Sequence, residues 1–215
     1  MTSVSLHAPF DPAPALAHIA TTDPTLGAAM RRVGPVVRLA ARRGSPFEVL
    51  LRSITYQQLS GKAAATIHSR VCALYPRSKP TPAGVAATAP DALRAAGLSR
   101  AKTVAILDLA AKTIDGTVPA STAGMRHLGE EEIIQRLTAV RGVGRWTVEM
   151  FLMFRLGRPD VLPATDLGIQ KGFAVALAKR HLPTPAQLLR RGERWRPWRT
   201  VVSWYLWSLA DLGPE

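Results

Sequence analysis

Cysteine is nearly missing from this chain: Cys72 stands alone among 215 residues. That excludes a disulfide within the chain, a thiolate metal cluster and a four-cysteine iron–sulfur centre. Cys72 falls in an apolar helical pattern and reads as a buried structural thiol. No apolar run approaches the ~20 residues that cross a bilayer. The opening MTSVSLHAPFDP lacks the basic-then-apolar order of a signal peptide. The expectation is a soluble protein of a reducing compartment with no membrane partner. Five histidines, His7, His18, His68, His127 and His181, show no ligand spacing, so no metal held by side chains is expected. Strand-like alternation is almost absent. Acidic residues are also scarce: 15 Asp and Glu face 28 Lys and Arg, a formal net charge of +13.

What is present is helical pattern and positive charge. Apolar residues recur at three- and four-residue spacing over 47–56, 61–75, 100–114, 130–139, 145–156, 167–181 and 198–212. Gly34-Pro35, Gly44-Ser45-Pro46, Pro76 to Pro82, Gly116 to Pro119, Gly157 to Pro163 and Pro183 to Pro185 punctuate them. Thr81-Pro82, Asp91 and Ser99 read as helix starts. An all-α fold of about ten helices of modest length follows, with a hydrophobic fraction of 47% to fill its core. The charge calls for an anionic partner. Arginine outnumbers lysine 22 to 6; arginine suits phosphate and stacking contacts, although a GC-rich coding sequence raises the same ratio.

Two helix–turn–helix units stand out, LRAAGLSRAKTVAIL at 93–107 and LTAVRGVGRWTVEMFLMF at 137–154. In the second, Gly142 and Gly144 flank Val143. Such glycines let the backbone turn tightly and lie close to a ligand, while Val143 can pin the two helices. The next helix begins with free N–H groups and its positive dipole end outward, a phosphate-binding arrangement. Arg141 and Arg145 add charge there and Thr147 a hydroxyl. Asp166, in DVLPATDLGIQKGF, stands where another helix begins and reads on its own as an N-cap. Asp160, between Pro159 and Val161, reads as a loop residue. Trp195, Trp198 and Trp204 read as core.

The hairpin resembles that of the helix-hairpin-helix DNA glycosylases through Gly142, Val143, Gly144 and Thr147; Arg141 replaces the usual proline. GERWRPWRTVVSWYLW at 192–207, QQLSGKAA at 57–64 and GLSRAKT at 97–103 look like the bacterial alkylated-base (3-methyladenine II) type, in a compact form without an N-terminal β domain. The resemblance covers about residues 45–210. It implies a helical barrel over 46–157 and a second helical lobe from 1–45 plus 158–215, with the DNA cleft and base pocket between them. It also implies a catalytic role for Asp166, which lies 22 residues after Gly144. A carboxylate there would stabilise the positive charge that builds on the sugar and orient water. Trp146 takes the position of the lysine by which bifunctional members attack the sugar, and no lysine lies between 113 and 170. Hydrolysis without strand cleavage is therefore expected. Trp146, Met150 and Trp207 would line the base pocket, where indole rings suit a flipped cationic purine. Gln58 or Leu59 would fill the gap left in the duplex. The resemblance allows a monovalent cation on hairpin carbonyls and implies a monomer acting on damaged double-stranded DNA in the bacterial cytoplasm. A non-catalytic helix-hairpin-helix module and a glycosylase for oxidised or deaminated bases stand as alternatives. The preferred lesion is left open.

Overall fold

The structure is a computed structural model that describes residues 12–34 and 44–213. The opening stretch judged for a signal peptide, His7 and Pro35 fall outside the described residues. Twelve α-helices occur among the described residues, with no strand. They are α1 (Ala13–Thr22), α2 (Pro24–Val33), α3 (Pro46–Tyr56), α4 (Gly61–Ala73), α5 (Pro82–Ala86), α6 (Pro90–Ala95), α7 (Arg100–Ile114), α8 (Glu130–Thr138), α9 (Arg145–Phe154), α10 (Leu167–Ala176), α11 (Pro185–Gly192) and α12 (Arg199–Leu212). Two compact units result, Arg42–Phe151 and Met1–Ala41 with Leu152–Glu215.

In the Arg42–Phe151 unit, local chemistry sets most helix starts. Ser45 and Glu48 form a reciprocal capping box before α3, while Ser60, Thr81 and Ser99 cap α4, α5 and α7. Asp91 lies in the first turn of α6 rather than at its cap, because Pro90 starts that helix with its fixed φ. α7 is central and packs on α3, α5 and α6. Its Ile106 and Leu109 are wholly buried, as are Leu50, Leu51 and Ile54 of α3 and Leu137 of α8. Each such side chain is worth roughly 1.5–3 kcal/mol of burial. Cys72 is half-buried rather than fully enclosed, its Sγ 3.7 Å from His68 Nε2, because α4 buries only Ala64 and Val71 along its length.

In the other unit α10 lies across α12 and both touch α2. Gly172 makes the crossing possible: a Cβ there would collide with the backbone carbonyl of Leu206. The apolar pattern over 167–181 predicts a longer helix than α10, which stops at Ala176. Ala178 turns left-handed at φ +46°, its N–H donating to the Val175 carbonyl and that of Lys179 to the Ala174 carbonyl. This double closure is the usual helix stop made by glycine; with alanine in that place the sequence shows no sign of it. Trp195 and Trp204 are core, but Trp198 is half-buried at the start of α12.

The wholly buried Trp195 and the buried Asp23 tie the N-terminal helices to the rest of this unit. Asp23 caps α2, accepts two hydrogen bonds from Arg191 at 2.7 and 2.8 Å, and accepts a third from the Trp195 indole at 3.0 Å. Burial pushes the Asp23 carboxyl up, but Arg191 and Trp195 outweigh it and hold its pKa below the ordinary value. Asp23→Asn is expected to destabilise the protein by about 1–3 kcal/mol at neutral pH, the cost of an unmatched buried partner. The native carboxyl titrates below the unfolded one, so its contribution is complete above about pH 4 and fades as pH falls through the folded value. Urea unfolding of both proteins from pH 7 to pH 3 should show the gap closing. A gap independent of pH would assign the effect to packing instead.

Candidate active site

The turn between α8 and α9 is held from three directions. Val140 and Val143 are buried inside it, and the Val143 N–H donates to the Val140 carbonyl. On one side Asp108 of α7 accepts the Arg141 backbone N–H at 2.7 Å and Lys112 Nζ at 2.7 Å. Burial raises the Asp108 pKa, yet these two donors carry it below the ordinary value. On another side Gln57 Nε2 donates to the Gly142 carbonyl at 2.9 Å. Gln57 is itself fixed by Lys102, whose Nζ donates to the Thr55 and Gln57 carbonyls at 2.8 and 2.7 Å, closing the end of α3. Burial pushes the Lys102 pKa down.

The two glycines differ. Gly142 has φ +74°, the left-handed region, and a Cβ would touch Ala105. Gly144 has no such φ, and a Cβ there would meet nothing within 4 Å. The fold itself therefore asks for glycine at 142 only; at 144 the bare backbone is free for a close approach from outside. Both residues are exposed, as is Arg141.

Arg145 is exposed at the turn and is already engaged within the protein. Its guanidinium makes two hydrogen bonds to Glu131 and one of 3.1 Å to the buried Glu149. The Glu131 bonds raise its pKa further. Thr147 is buried, which removes most of it from the surface. On α9, Trp146 is 47% exposed and Met150, one turn later, is half-buried. At the corner between α3 and α4, Gln58 is exposed with φ +54°, and Leu59 beside it is 40% exposed. A left-handed residue other than glycine costs roughly 1–2 kcal/mol, and the corner it makes leaves Leu59 on the surface.

Asp166 is the N-cap of α10. Its Oδ1 accepts the Ile169 N–H at 2.9 Å and the Trp207 indole N–H at 2.9 Å. Trp207 stacks on Phe154 with centroids 6.1 Å apart and planes 20° apart. Gly168 keeps the space between them: a Cβ would lie 2.8 Å from Trp207 Cδ1 and 3.1 Å from Asp166 Oδ1. Gln170 Nε2 donates to the Ala164 carbonyl at 2.9 Å, bracing the approach to the cap. Asp166 is half-buried. Asp160 has a different use. It takes Arg199 at 2.7 and 3.0 Å and Arg196 at 2.6 Å, which consumes its carboxylate in anchoring the loop to α12.

Residues 51–197 match the model of the HhH-GPD superfamily of base excision DNA repair proteins. The chain belongs to this superfamily. It is 39% identical over 169 residues to DNA-3-methyladenine glycosylase 1 of Schizosaccharomyces pombe, covering 78% of this chain and 74% of that one. A structure of the S. pombe 3-methyladenine DNA glycosylase in complex with abasic DNA matches with a TM-score of 0.76 at 35% identity, over 90% of this chain and 95% of that one. The DNA-3-methyladenine glycosidase of Bacillus halodurans matches with a TM-score of 0.83 at 33% identity, over 94% and 91% of the two chains.

Within this HhH-GPD chain, sequence reasoning missed Gln57, Lys102, Asp108, Gly168 and the Trp207–Asp166 bond. Gln57 and Lys102 lie in the QQLSGKAA and GLSRAKT runs, so the signal was present without its meaning. Asp108 and Gly168 carry no local mark. The contrast between the two hairpin glycines is testable. Gly142→Ala is expected to lower stability by about 1–2 kcal/mol from its left-handed φ. Gly144→Ala should leave the unfolding midpoint unchanged and weaken duplex DNA binding, read by fluorescence anisotropy. Normal DNA affinity for Gly144→Ala would remove the hairpin from the interface.

Proposed function

We propose that this chain is a monofunctional DNA glycosylase that hydrolyses the N-glycosidic bond of alkylated purines, of the 3-methyladenine and 7-methylguanine kind, in double-stranded DNA. The observation that carries the reading is Asp166: a carboxylate fixed at a helix N-terminus by the Ile169 amide and an indole N–H, yet only half-buried. The names of the S. pombe and B. halodurans relatives support the substrate class.

The chemistry follows from the residues. The bond from the sugar to the purine breaks and its electron pair leaves with the base. An alkylated purine already bears positive charge, so it departs neutral and needs no acid. The sugar acquires positive charge, which the Asp166 carboxylate stabilises from a fixed position. Water adds to the sugar carbon and gives up a proton to the carboxylate or to solvent. Trp207 is a positioning residue in this scheme: its N–H holds Oδ1, and its ring is already stacked on Phe154. The exposed face of Trp146, with Met150, takes the flipped cationic base by stacking and cation–π attraction. Trp146 also supplies no amine for a Schiff base, so the product is an abasic site without strand cleavage. Leu59 is the better wedge of the corner pair, being apolar and exposed beside the strained Gln58.

Duplex DNA is held through the Gly142–Gly144 backbone, the start of α9 and Arg141, by phosphate contacts that position without reading sequence. Hairpin carbonyls are the donor type a monovalent cation takes. The Gly142 and Val140 carbonyls each already accept one N–H, from Gln57 and Val143, and a carbonyl has a second lone pair to offer. We place the protein as a monomer on chromosomal DNA in the bacterial cytoplasm. Among the described residues no helix is long and apolar enough to cross a membrane.

Asn at 166 keeps the cap and the acceptor for Trp207 but not the charge. Asp166→Asn is expected to fold normally and to lose about 10²–10³ in single-turnover excision of 7-methylguanine or 3-methyladenine from duplex DNA. Affinity for an abasic-site analogue should change far less. A folded variant with near-normal excision would make Asp166 only a cap and defeat the mechanism. Product strands should break only after alkali, and breakage without it would favour a lyase. Trp207→Phe keeps the stack on Phe154 and removes the N–H. It should slow excision at least several-fold with little effect on binding undamaged DNA. An equal fall in both would assign Trp207 to stability.

A further inference from the structure

At the end of α10 opposite Asp166 the surface opens into a cavity of about 850 Å³. The ten residues of α10 put roughly 15 Å between the two ends, so this is a different place from the Asp166 cluster. Its cationic lining residues are Lys179, Arg180, Arg190, Arg191 and Arg194, and no acidic residue lines it. Arg191 is committed to Asp23. Lys179, Arg180, Arg190 and Arg194 are exposed, and no carboxylate bonds their side chains among the described residues. The nearest acid in sequence, Glu193, is taken by Arg196 and Arg199.

The blander reading is a helix C-terminus answered by cations. It accounts for Lys179 and Arg180, which directly follow the left-handed stop at Ala178. It accounts equally for Arg190, in the last turn of α11, but not for Arg194 of the turn after it, nor for two helix ends and that turn directing their cations into one space. Like charges drawn around one concavity repel each other and are tolerated when an anion answers them. The floor adds Leu182, Phe173 and Pro183. A concave site of several hundred Å³ with an apolar floor and a few convergent charges is of the size that takes a nucleotide unit, and arginine forks match phosphate oxygens in pairs.

We propose that this cavity is a second phosphate-binding site, taking phosphodiester groups of a DNA segment other than the one at the hairpin. The proposal rests on the reading of the chain as a DNA-acting protein, but not on Asp166 being catalytic. Two DNA sites on one molecule allow it to pass from one duplex to another without release, since the second duplex is engaged before the first departs.

The test uses the double variant Arg180→Glu/Arg194→Glu, with Arg180→Gln/Arg194→Gln as the milder partner, in the full-length chain. Thermal unfolding checks that both fold. In stopped flow, wild type leaving a labelled undamaged duplex should do so faster as unlabelled competitor duplex is raised, while the variants should leave at a rate independent of competitor. For binding of a second duplex to protein already saturated with a first, the slope of log affinity against log salt should fall by about one unit for each phosphate group that the variant no longer binds. Single-turnover excision at saturating protein should be unchanged. Inorganic phosphate and a mononucleotide are titrated separately. The proposal predicts that neither substitutes for duplex in accelerating release. Acceleration by mononucleotide alone, with none by duplex, would make this a small-ligand site and overturn it. A folded variant with wild-type transfer and salt slope would also overturn it. Wild type that transfers between duplexes yet excises nothing would sink the glycosylase reading and leave this one standing.

Discussion

The crossing of α10 over α12 is the contact on which the fixed position of the Asp166 carboxylate depends. It brings helix backbones together at Gly172, where no side chain could be admitted. With the helices that close, Trp207 on α12 reaches back to the cap of α10, and Gly168 leaves room for its indole edge beside Asp166. A carboxylate that must oppose a developing cation is effective only if its position is already fixed when charge appears. Here two donors on one oxygen do the fixing, one from the helix amides and one from a ring held by Phe154. In the proposed mechanism the cap and the reactive group are the same side chain, and the capping geometry is what would orient the charge.

The hairpin combines roles in the same way. Its arginine at 145 is engaged by Glu131 and Glu149, which bind the start of α9 to α8 and to its own helix. Beside the exposed Arg141, the backbone of Gly142 and Gly144 also faces outward. Bare amides and a glycine without structural need of its own are well suited to phosphate, because they approach closely and carry no rotamer entropy to lose. Gln57, locked by Lys102, then ties the hairpin to the corner that carries Leu59. In the proposed mechanism Leu59 is the wedge and the hairpin the phosphate grip, and one hydrogen-bond chain braces both.

Positive charge is distributed by the same logic. A net charge of +13 draws the protein to any polyanion, but several arginines are internal struts: Arg191 on Asp23, Arg196 and Arg199 on Asp160, Arg145 on Glu131. The cations gathered at the far end of α10, of which only Arg191 is paired with a carboxylate among the described residues, are therefore more informative than the total.

Local grammar carried much of this protein in plain view. Helix starts at Ser45, Ser60, Thr81 and Ser99, the left-handed glycine at 142 and the all-helical architecture are specified within a few residues of chain, because capping and turn conformation are short-range. The superfamily was legible too, through the hairpin and the motif runs that flank it. What the sequence could not disclose was which partners the charged and polar groups choose. Arg145 and Arg141 look alike beside the turn, yet one is neutralised by carboxylates and the other contributes its backbone to Asp108. Asp160 and Asp166 lie a few residues apart, yet one is consumed by arginines and the other caps α10 and takes the Trp207 indole N–H. The stop at Ala178 bears no glycine to announce it. These outcomes hang on contacts between residues far apart in the chain, such as Trp207 with Asp166, and only the packing of helices decides them, since hydrogen bonds and ion pairs act over a few ångströms whatever the distance along the sequence.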